Sequence, residues 1–291
     1  MNTSDLLKKV RKVEIKTKGL STQLFSGEYH SAFKGRGMAF SEVREYQIGD
    51  EIRTIDWNVT ARVGDPYVKV FEEEREMTVM ILVDVSGSKQ YGSTEQSKQQ
   101  MATELAATIA FSAIQNNDKV GVIFFSDKIE KYIPPKKGKS HILQIIRFLL
   151  DFEPESLKTD VSVGLKFLTS VLKKRSTAFL ISDFICNSSF DDMLKYANRK
   201  HDLLALEVYD PNEVNLPNVG ILPVQDIETG ETNWINTSSK KVRRKYKDIA
   251  MIRKQALHEL FKKSGVDFAE IATNEDYVKK LMQMFNRRIK S

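Results

Sequence analysis

The sequence has little cysteine and no long apolar run. Cys186 is its single cysteine among 291 residues, which excludes an intramolecular disulfide framework and a cysteine-rich zinc site. This composition favours a reducing compartment, and we predict a cytoplasmic protein. No stretch approaches the roughly 18 uninterrupted apolar residues that a membrane span needs. Residues 1–18 also lack the apolar block of a signal peptide, so none is expected.

Histidines are also few, and none forms a metal-binding pair at helical spacing. The four are His30, His141, His201 and His258. Net charge is +6 with a pI near 9.1, and the basic excess lies mainly in residues 8–18, 240–247 and 287–290. No aromatic-interleaved basic stripe accompanies these lysines, so solvated helix faces explain them better than nucleic-acid binding. Peripheral contact with a membrane surface stays compatible with this charge.

From about residue 78 onward, short apolar runs alternate with longer amphipathic ones, which predicts a mostly parallel sheet flanked by helices. The predicted strands are 78–84, 119–125, 128–133, 177–183, 202–209 and 267–271. The predicted helices are 97–116, 140–150, one from near 160, 190–199, 241–264 and 275–285. Residues 210–240 contain prolines, glycines and two β-prone pieces that predict a small hairpin. We therefore predict an N-terminal extension over 1–76 and an α/β domain over 77–291 that carries the 210–240 insertion.

A candidate metal-binding loop follows the first buried strand. Asp84, Ser86 and Ser88 alternate along a tight loop, at the strand end where open α/β sheets place their ligand sites. Gly87 eases the bend, so one carboxylate and two hydroxyls can face a single point. Oxygen ligands of this kind suit Mg²⁺, Mn²⁺ or Ca²⁺ rather than zinc. The same residues also occur in ordinary turns and helix caps, so this string alone is weak evidence.

Two further segments strengthen the metal interpretation. Thr159 and Asp160 precede a predicted helix, and Ser182 and Asp183 end another buried strand, on the same predicted edge of the sheet. Neighbouring buried aspartates cannot both ionise cheaply without a cation. The alternative is a group of helix caps and turn residues that hold no metal.

In this order and context, five residues resemble the metal-ion-dependent adhesion site of von Willebrand factor A domains: Asp84, Ser86, Ser88, Thr159 and Asp183. The resemblance implies a von Willebrand factor A-like fold and a cation bound by the hydroxyls directly and by the aspartates directly or through water. It also implies that an acidic side chain of a partner protein completes the coordination. Phe184 departs from the pattern, because many members have glycine after the last aspartate.

Upstream, residues 35–75 are dense in arginine, acidic and aromatic residues, with little regular periodicity before Tyr67. We expect Arg44, Arg53 and Arg62 to fork onto Glu45, Asp50 or Asp56. Tyr46 and Trp57 are the expected apolar anchors.

The stretch R-E-Y-x-x-G-D-x-x-R-x-I-D-W within it resembles the signature of the prokaryotic family known as domain of unknown function number 58. Residues 226–231, DIETGE, resemble that family's hairpin insertion. The resemblance implies a MoxR-type AAA+ ATPase, or another von Willebrand factor A protein, as partner.

Two other features of the sequence do not indicate a binding or catalytic site. Gly138-Lys139-Ser140 imitates the end of a phosphate-binding loop, but Ile133 stands where the first glycine is required, and two prolines remove amide donors. Cys186 has no histidine beside it in sequence, so a structural thiol is favoured over a nucleophile.

The sequence thus predicts a non-enzymatic interaction module that binds an acidic partner through a cation. Two alternatives stay open. One is a metal-dependent phosphoesterase or nuclease, which the motif's hydroxyls and the lack of an evident general base disfavour. The other is a metal-independent scaffold built on residues 35–75.

Overall fold

The computed structural model describes residues 38–73, 77–87, 97–186, 188–225 and 232–290. These residues form two compact units, which divide between Met77 and Thr78.

The N-terminal unit contains two strands and a short helix. Strands β1 (Met38–Glu45) and β2 (Tyr67–Glu73) pair in antiparallel fashion, and helix α1 (Trp57–Val63) lies between them in sequence. The helix begins at Asp56, whose side chain accepts hydrogen bonds from the backbone N–H groups of Asn58 and Val59, the normal role of an N-cap aspartate. Regular structure therefore begins before Tyr67, where periodicity had not indicated it.

Ion pairs organise this unit as its composition predicts, but with different partners. Arg44 forks onto Asp50, with both N–O distances at 2.7 Å, so one predicted arginine fork is present. Asp56 pairs instead with Lys69, at 3.4 Å. Trp57 leaves 65% of its surface exposed, so within the described part of this unit it is not the predicted apolar anchor.

The second unit is built on a six-stranded sheet. Its strands are β3 (Thr78–Asp84), β4 (Lys119–Phe125), β5 (Ile129–Lys136), β6 (Thr177–Ser182), β7 (Asp202–Tyr209) and β10 (Asp267–Ala272). Their spatial order is β10-β7-β6-β3-β4-β5, and β5 is antiparallel to its neighbour while the others are parallel. Numbered by their sequence within the sheet, they follow the order 3-2-1-4-5-6 of doubly wound α/β folds. The predicted fold class is therefore confirmed.

Six helices cover the two faces of the sheet. They are α2 (Lys98–Gln115), α3 (Lys139–Asp151), α4 (Val161–Val171), α5 (Asp191–Lys200), α6 (Lys240–Ser264) and α7 (Tyr277–Lys290). Helices α4, α5 and α6 bury apolar side chains on one face, while α2, α3 and α7 pack on the other. None of the described helices combines the length and the apolar character that a membrane crossing requires.

The central strand β3 is buried on both faces because Val79 to Val83 are all apolar, as expected for a parallel strand between two helical layers. Its carboxyl end, together with those of β4, β6 and β7, forms one edge of the sheet. The loops that leave this edge carry the polar residues discussed below.

Smaller differences concern element ends. Helix α3 has Gly138, not Ser140, at its N-cap, and β6 ends at Ser182, one residue before the predicted end. Strands β8 (Ile221–Gln225) and β9 (Thr232–Asn236) form an antiparallel pair, at the place where the hairpin is predicted. Residues 226–231 between them lie outside the described part of the chain.

Candidate metal centre

Asp84 is the last residue of β3, and its carboxylate is held by neighbouring backbone. Oδ1 accepts a hydrogen bond of 3.0 Å from the Ser86 N–H, which turns the loop back over the strand end. The Val85 N–H donates to the carbonyl oxygen of Phe125 at 2.9 Å, extending the pairing with β4. Asp84 and Ser86 are both buried, so they occupy a defined place at the carboxyl edge.

The loop after β6 meets Asp84 from the other side. Val83 lies opposite Ile181 in the parallel register, which brings Ser182 beside Asp84. The Ser182 hydroxyl donates a 2.5 Å hydrogen bond to Asp84 Oδ2. Both oxygens of the Asp84 carboxylate therefore accept hydrogen bonds.

Asp183 is buried next to this contact. Its Oδ1 accepts a 3.1 Å hydrogen bond from the Ile185 N–H, and its Oδ2 accepts one of 2.8 Å from the ammonium group of Lys98. The hydrogen bonds to Asp84 and Asp183 therefore orient both carboxylates at this edge of the sheet.

Backbone contacts bring the third segment to the same edge. The Gly87 N–H donates to the carbonyl oxygen of Leu157 at 3.1 Å, and the Asp160 N–H donates to that of Ser126 at 3.1 Å. Thr159, between these contacts, is buried.

Helix α4 can approach the sheet closely here because it has glycine at position 164, where a Cβ would come within 3.0 Å of the Phe125 ring. The Asp160 carboxylate accepts from the Ser162 N–H at 2.9 Å and caps this helix. Asp160 thus has the capping role, and Thr159 is the candidate ligand of this loop.

The pKa of Cys186 responds to the charges at this edge of the sheet. Burial raises the pKa of its thiol, and the nearby carboxylates of Asp160 and Asp84 raise it further. A thiol with a raised pKa is a poor nucleophile at neutral pH, in agreement with the structural role predicted for Cys186. The three loops are thus close enough for their charges to act on one another.

Lys98 also belongs to this site, although the sequence analysis did not identify it. This lysine, at the start of α2, is fully buried and binds Asp183 at 2.8 Å and Glu213 at 2.6 Å. Burial by itself lowers the pKa of Lys98, but the two carboxylates outweigh it and leave the pKa raised. The ammonium therefore stays charged and ties α2 to the loops after β6 and β7.

The side chains at this edge have the chemistry of a cation site. Asp84 and Asp183 offer carboxylate oxygens, and Ser86 and Thr159 offer hydroxyl oxygens. Carboxylate and hydroxyl oxygens are ligands that Mg²⁺ and Ca²⁺ favour. The donor chemistry thus fits such an ion.

A small cavity of about 30 Å³ adjoins the first of the three loops. Its wall includes Asp84 and Ser86 on one side and Gln99 and Thr103 of α2 on the other. A space of this size accommodates a water molecule beside two of the predicted metal ligands.

The backbone of Phe184 explains its departure from the adhesion-site pattern. Its φ angle is 54°, in the left-handed region that glycine adopts readily. The residue keeps the glycine-like turn after Asp183 despite its side chain, which is buried against Phe190 and Phe261 with ring centroids 6.1 Å and 5.1 Å away. Aromatic packing therefore offsets a backbone strain of about 1–2 kcal/mol.

The structure brings Asp84, Ser86 and Asp183 to one edge of the sheet. The Ser182 hydroxyl links Asp84 to the loop of Asp183. Thr159 lies in a loop that is hydrogen-bonded to the loop after β3. Ser88, the fifth predicted ligand, lies outside the described residues. Lys98 and Glu213 carried weak signals in the sequence. Lys98 interrupts an apolar helical stripe, and Glu213 closes a capping box with Asp210 directly after β7.

The strand order is that of doubly wound α/β folds, the class to which the predicted von Willebrand factor A-like fold belongs. Among solved structures, the chain is similar to the conserved hypothetical protein BatB from Bacteroides thetaiotaomicron, with a TM-score of 0.49 and 16% identity over 74% of this chain and 100% of that one. It is also similar to the SpRpn10 VWA domain, with a TM-score of 0.40 and 11% identity over 72% of this chain and 94% of that one.

Sequence comparison gives the family. Uncharacterized protein Rv1480 of Mycobacterium tuberculosis is 30% identical over 223 residues, which are 76% of this chain and 70% of the relative. Residues 42–256 match the family described as protein of unknown function DUF58. This match includes most of the upstream signature and most of the α/β unit. The chain therefore belongs to the DUF58 family.

Proposed function

We propose that this protein is a non-enzymatic interaction module that grips an acidic side chain of a partner through a divalent cation. The proposed ligands are Asp84, Ser86, Ser88, Thr159 and Asp183, with Mg²⁺ as the first choice and Mn²⁺ or Ca²⁺ as substitutes. The partner is a MoxR-type AAA+ ATPase or another von Willebrand factor A protein, in the cytoplasm. The division into an extension over 1–76 and a domain over 77–291 belongs to the same proposal.

One observation carries the proposal: the hydrogen bond from Ser182 to Asp84 joins two carboxylate-bearing loops at the carboxyl edge. Ligands bind outside this edge in open α/β sheets. The buried carboxylates of Asp84 and Asp183 support a cation rather than an anion there. A cation that keeps one coordination position for an outside carboxylate would then join the two proteins.

Hydroxyl ligands support binding rather than catalysis. A two-metal phosphoesterase positions two ions to stabilise the attacking and leaving oxygens, whereas this site offers two aspartates and Lys98 already engages one of them. A single structural cation that recruits a partner suits this arrangement better.

The test is a pulldown of the MoxR-type ATPase from the native host with the full chain as bait. We expect binding in Mg²⁺, loss of binding in chelator, and return of binding when Mg²⁺ is restored. Asp84→Ala should abolish the cation-dependent binding. Asp192→Ala is the matched control, because Asp192 is fully exposed on α5 and its loss should change nothing.

Other outcomes overturn the proposal in distinct ways. Unchanged binding by Asp84→Ala, with or without chelator, would support the metal-independent scaffold. Chelator-sensitive turnover of a phosphodiester substrate that disappears in Asp84→Ala would support the enzyme. Far-UV circular dichroism of each variant establishes that lost binding does not come from unfolding.

A further inference from the structure

A second group of ligand-type side chains lies at the β7–β10 end of the sheet. Glu207 and Glu270 are directly opposite each other in the parallel register of these strands, so both side chains point to the same face. Two like charges in this position destabilise a sheet. His258 of α6 contacts both carboxylates from above that face. His258 therefore stands between two acidic side chains.

The three side chains converge on one point. His258 Nε2 is 3.7 Å from Glu207 Oε2 and also contacts Glu270 Oε1. All three potential ligand atoms lie within 4.8 Å of one another. Zinc lies about 2.0–2.2 Å from its nitrogen and oxygen ligands, so small side-chain rotations let these atoms share one ion.

Glu207 is the strongest indication that something is bound. The residue is 7% exposed, and its Oε2 has no hydrogen-bond partner within the described part of the chain. Buried polar side-chain atoms nearly always have such a partner. His258 Nε2, which contacts Glu270, is 3.7 Å from Glu207 Oε2 and too far to supply that hydrogen bond.

Neighbouring residues position the His258 imidazole and compensate part of the charge of Glu270. The His258 ring stacks on Phe268 with centroids 4.7 Å apart. Lys254 binds Glu270 Oε2 at 2.5 Å and lies 4.1 Å from the centroid of the Tyr209 ring. Lys254 therefore compensates the outer oxygen of Glu270 and leaves Oε1 for the group that His258 and Glu207 face.

We propose that Glu207, His258 and Glu270 form a second metal site, which takes a divalent transition-metal ion of the zinc type and clamps α6 onto β7 and β10. One imidazole nitrogen and two carboxylate oxygens suit zinc, whereas Mg²⁺ favours all-oxygen sites. Side chains of His258 and Glu270 are 23% and 27% exposed, which gives the ion a route in and a water a place as fourth ligand. This site shares no ligand with the proposed one at Asp84, although Glu207 lies opposite Ser182 in the register of β6 and β7.

The test is isothermal titration of Zn²⁺ into the full chain carrying Asp84→Ala, so that the other proposed site does not contribute. We expect one zinc equivalent to bind. His258→Gln in the same background should weaken binding by more than about a hundredfold, because even outer-shell changes cost about 10–100-fold. Glu259→Gln is the matched control, since Glu259 is the exposed neighbour of His258 on α6 and should leave affinity unchanged.

A spectroscopic measurement guards against variants that fold poorly. Co²⁺ bound to the natural chain in excess Mg²⁺ should give the strong visible absorption of a four-coordinate ion, and both His258→Gln and Glu207→Gln should lose it. Equal zinc affinity in His258→Gln, or no zinc binding in the folded Asp84→Ala chain, would overturn the proposal. The second result would leave a proton shared among the three side chains as the explanation of their geometry.

Discussion

The centre of the sheet and its β7–β10 end both bury ionisable groups, but they compensate them differently. At the centre, Asp183 is paired with the buried ammonium of Lys98, and hydrogen bonds reach both of its oxygens. At the β7–β10 end, Glu207 Oε2 and His201 Nε2 are buried without a hydrogen bond from any described residue. The centre thus compensates Asp183 with a permanent charge pair, whereas Glu207 and His201 at the end depend on their protonation state.

Because of this difference, the stability of the two regions should depend on different changes. A buried charge whose partner is removed keeps its desolvation cost and loses its compensation, so the centre should respond strongly to mutation. A buried titratable group without a partner stays neutral by shifting its pKa, so the end should respond to pH. The predictions below test this contrast, beginning with the largest expected effect.

Lys98→Met should cause the largest loss. The substitution leaves Asp183 and Glu213 without their shared ammonium, and breaking a buried pair in this way costs about 3–5 kcal/mol. Urea unfolding followed by circular dichroism at pH 7 measures the free energy of unfolding. If a cation can take the place of the lost ammonium, saturating Mg²⁺ should restore part of the free energy of unfolding.

Lys195→Met is the control for that measurement. Lys195 lies 3.9 Å from Asp192 on the surface of α5, and exposed pairs of this type contribute at most about 1 kcal/mol. If the two variants lose similar amounts of stability, the buried pair has no special role at the centre.

Mild acid should destabilise the protein through His201. This residue is fully buried beside the Ser176 hydroxyl, which is 3.0 Å from its Nδ1. Burial lowers its pKa from 6.5 to about 4, and Lys200 and Arg175 contribute to the shift. Between these values the unfolded chain binds a proton that the folded chain does not, so stability falls as pH falls. The expected loss by pH 4 is about 3 kcal/mol.

The measurement compares urea unfolding at pH 7, 6 and 5 for the natural chain and His201→Gln. The variant carries no titrating imidazole at this position, so its stability should fall less steeply between pH 6.5 and 5. Equal slopes for the two chains would show that another group dominates acid sensitivity and would remove His201 from the comparison.

Sequence pattern predicted the sheet well because its strands are buried on both faces. Thr78–Asp84 and Thr177–Ser182 are nearly continuous apolar runs bounded by polar residues, and such runs leave few other structures open. The predicted ligands Asp84 and Asp183 are adjacent to these runs. Their position at the carboxyl edge therefore followed from strand ends alone.

The residues that sequence analysis missed depend on long-range contacts. Lys98 is 85 positions from Asp183 and 115 from Glu213 along the chain, and a lysine near a helix start is usually solvated. Likewise, Glu207, His258 and Glu270 come together only once the register of β7 and β10 is set and α6 crosses them. The residues of each cluster lie too far apart in the sequence for helical or strand periodicity to identify them.

Ser182→Ala should give the smallest of these effects, and it tests how the centre orients Asp84. The substitution removes the 2.5 Å hydrogen bond to Asp84 Oδ2 and the acceptor of the Phe184 N–H. A hydrogen bond to a charged group contributes about 1.5–3 kcal/mol, so we expect a loss near 2 kcal/mol in urea unfolding. Ser170→Ala is the control, because its hydroxyl is exposed and bonds only to the carbonyl oxygen of Phe167. A Ser182→Ala loss no larger than that of Ser170→Ala would mean that Asp84 does not depend on β6 for its position, and the two loops would then lie together without supporting each other.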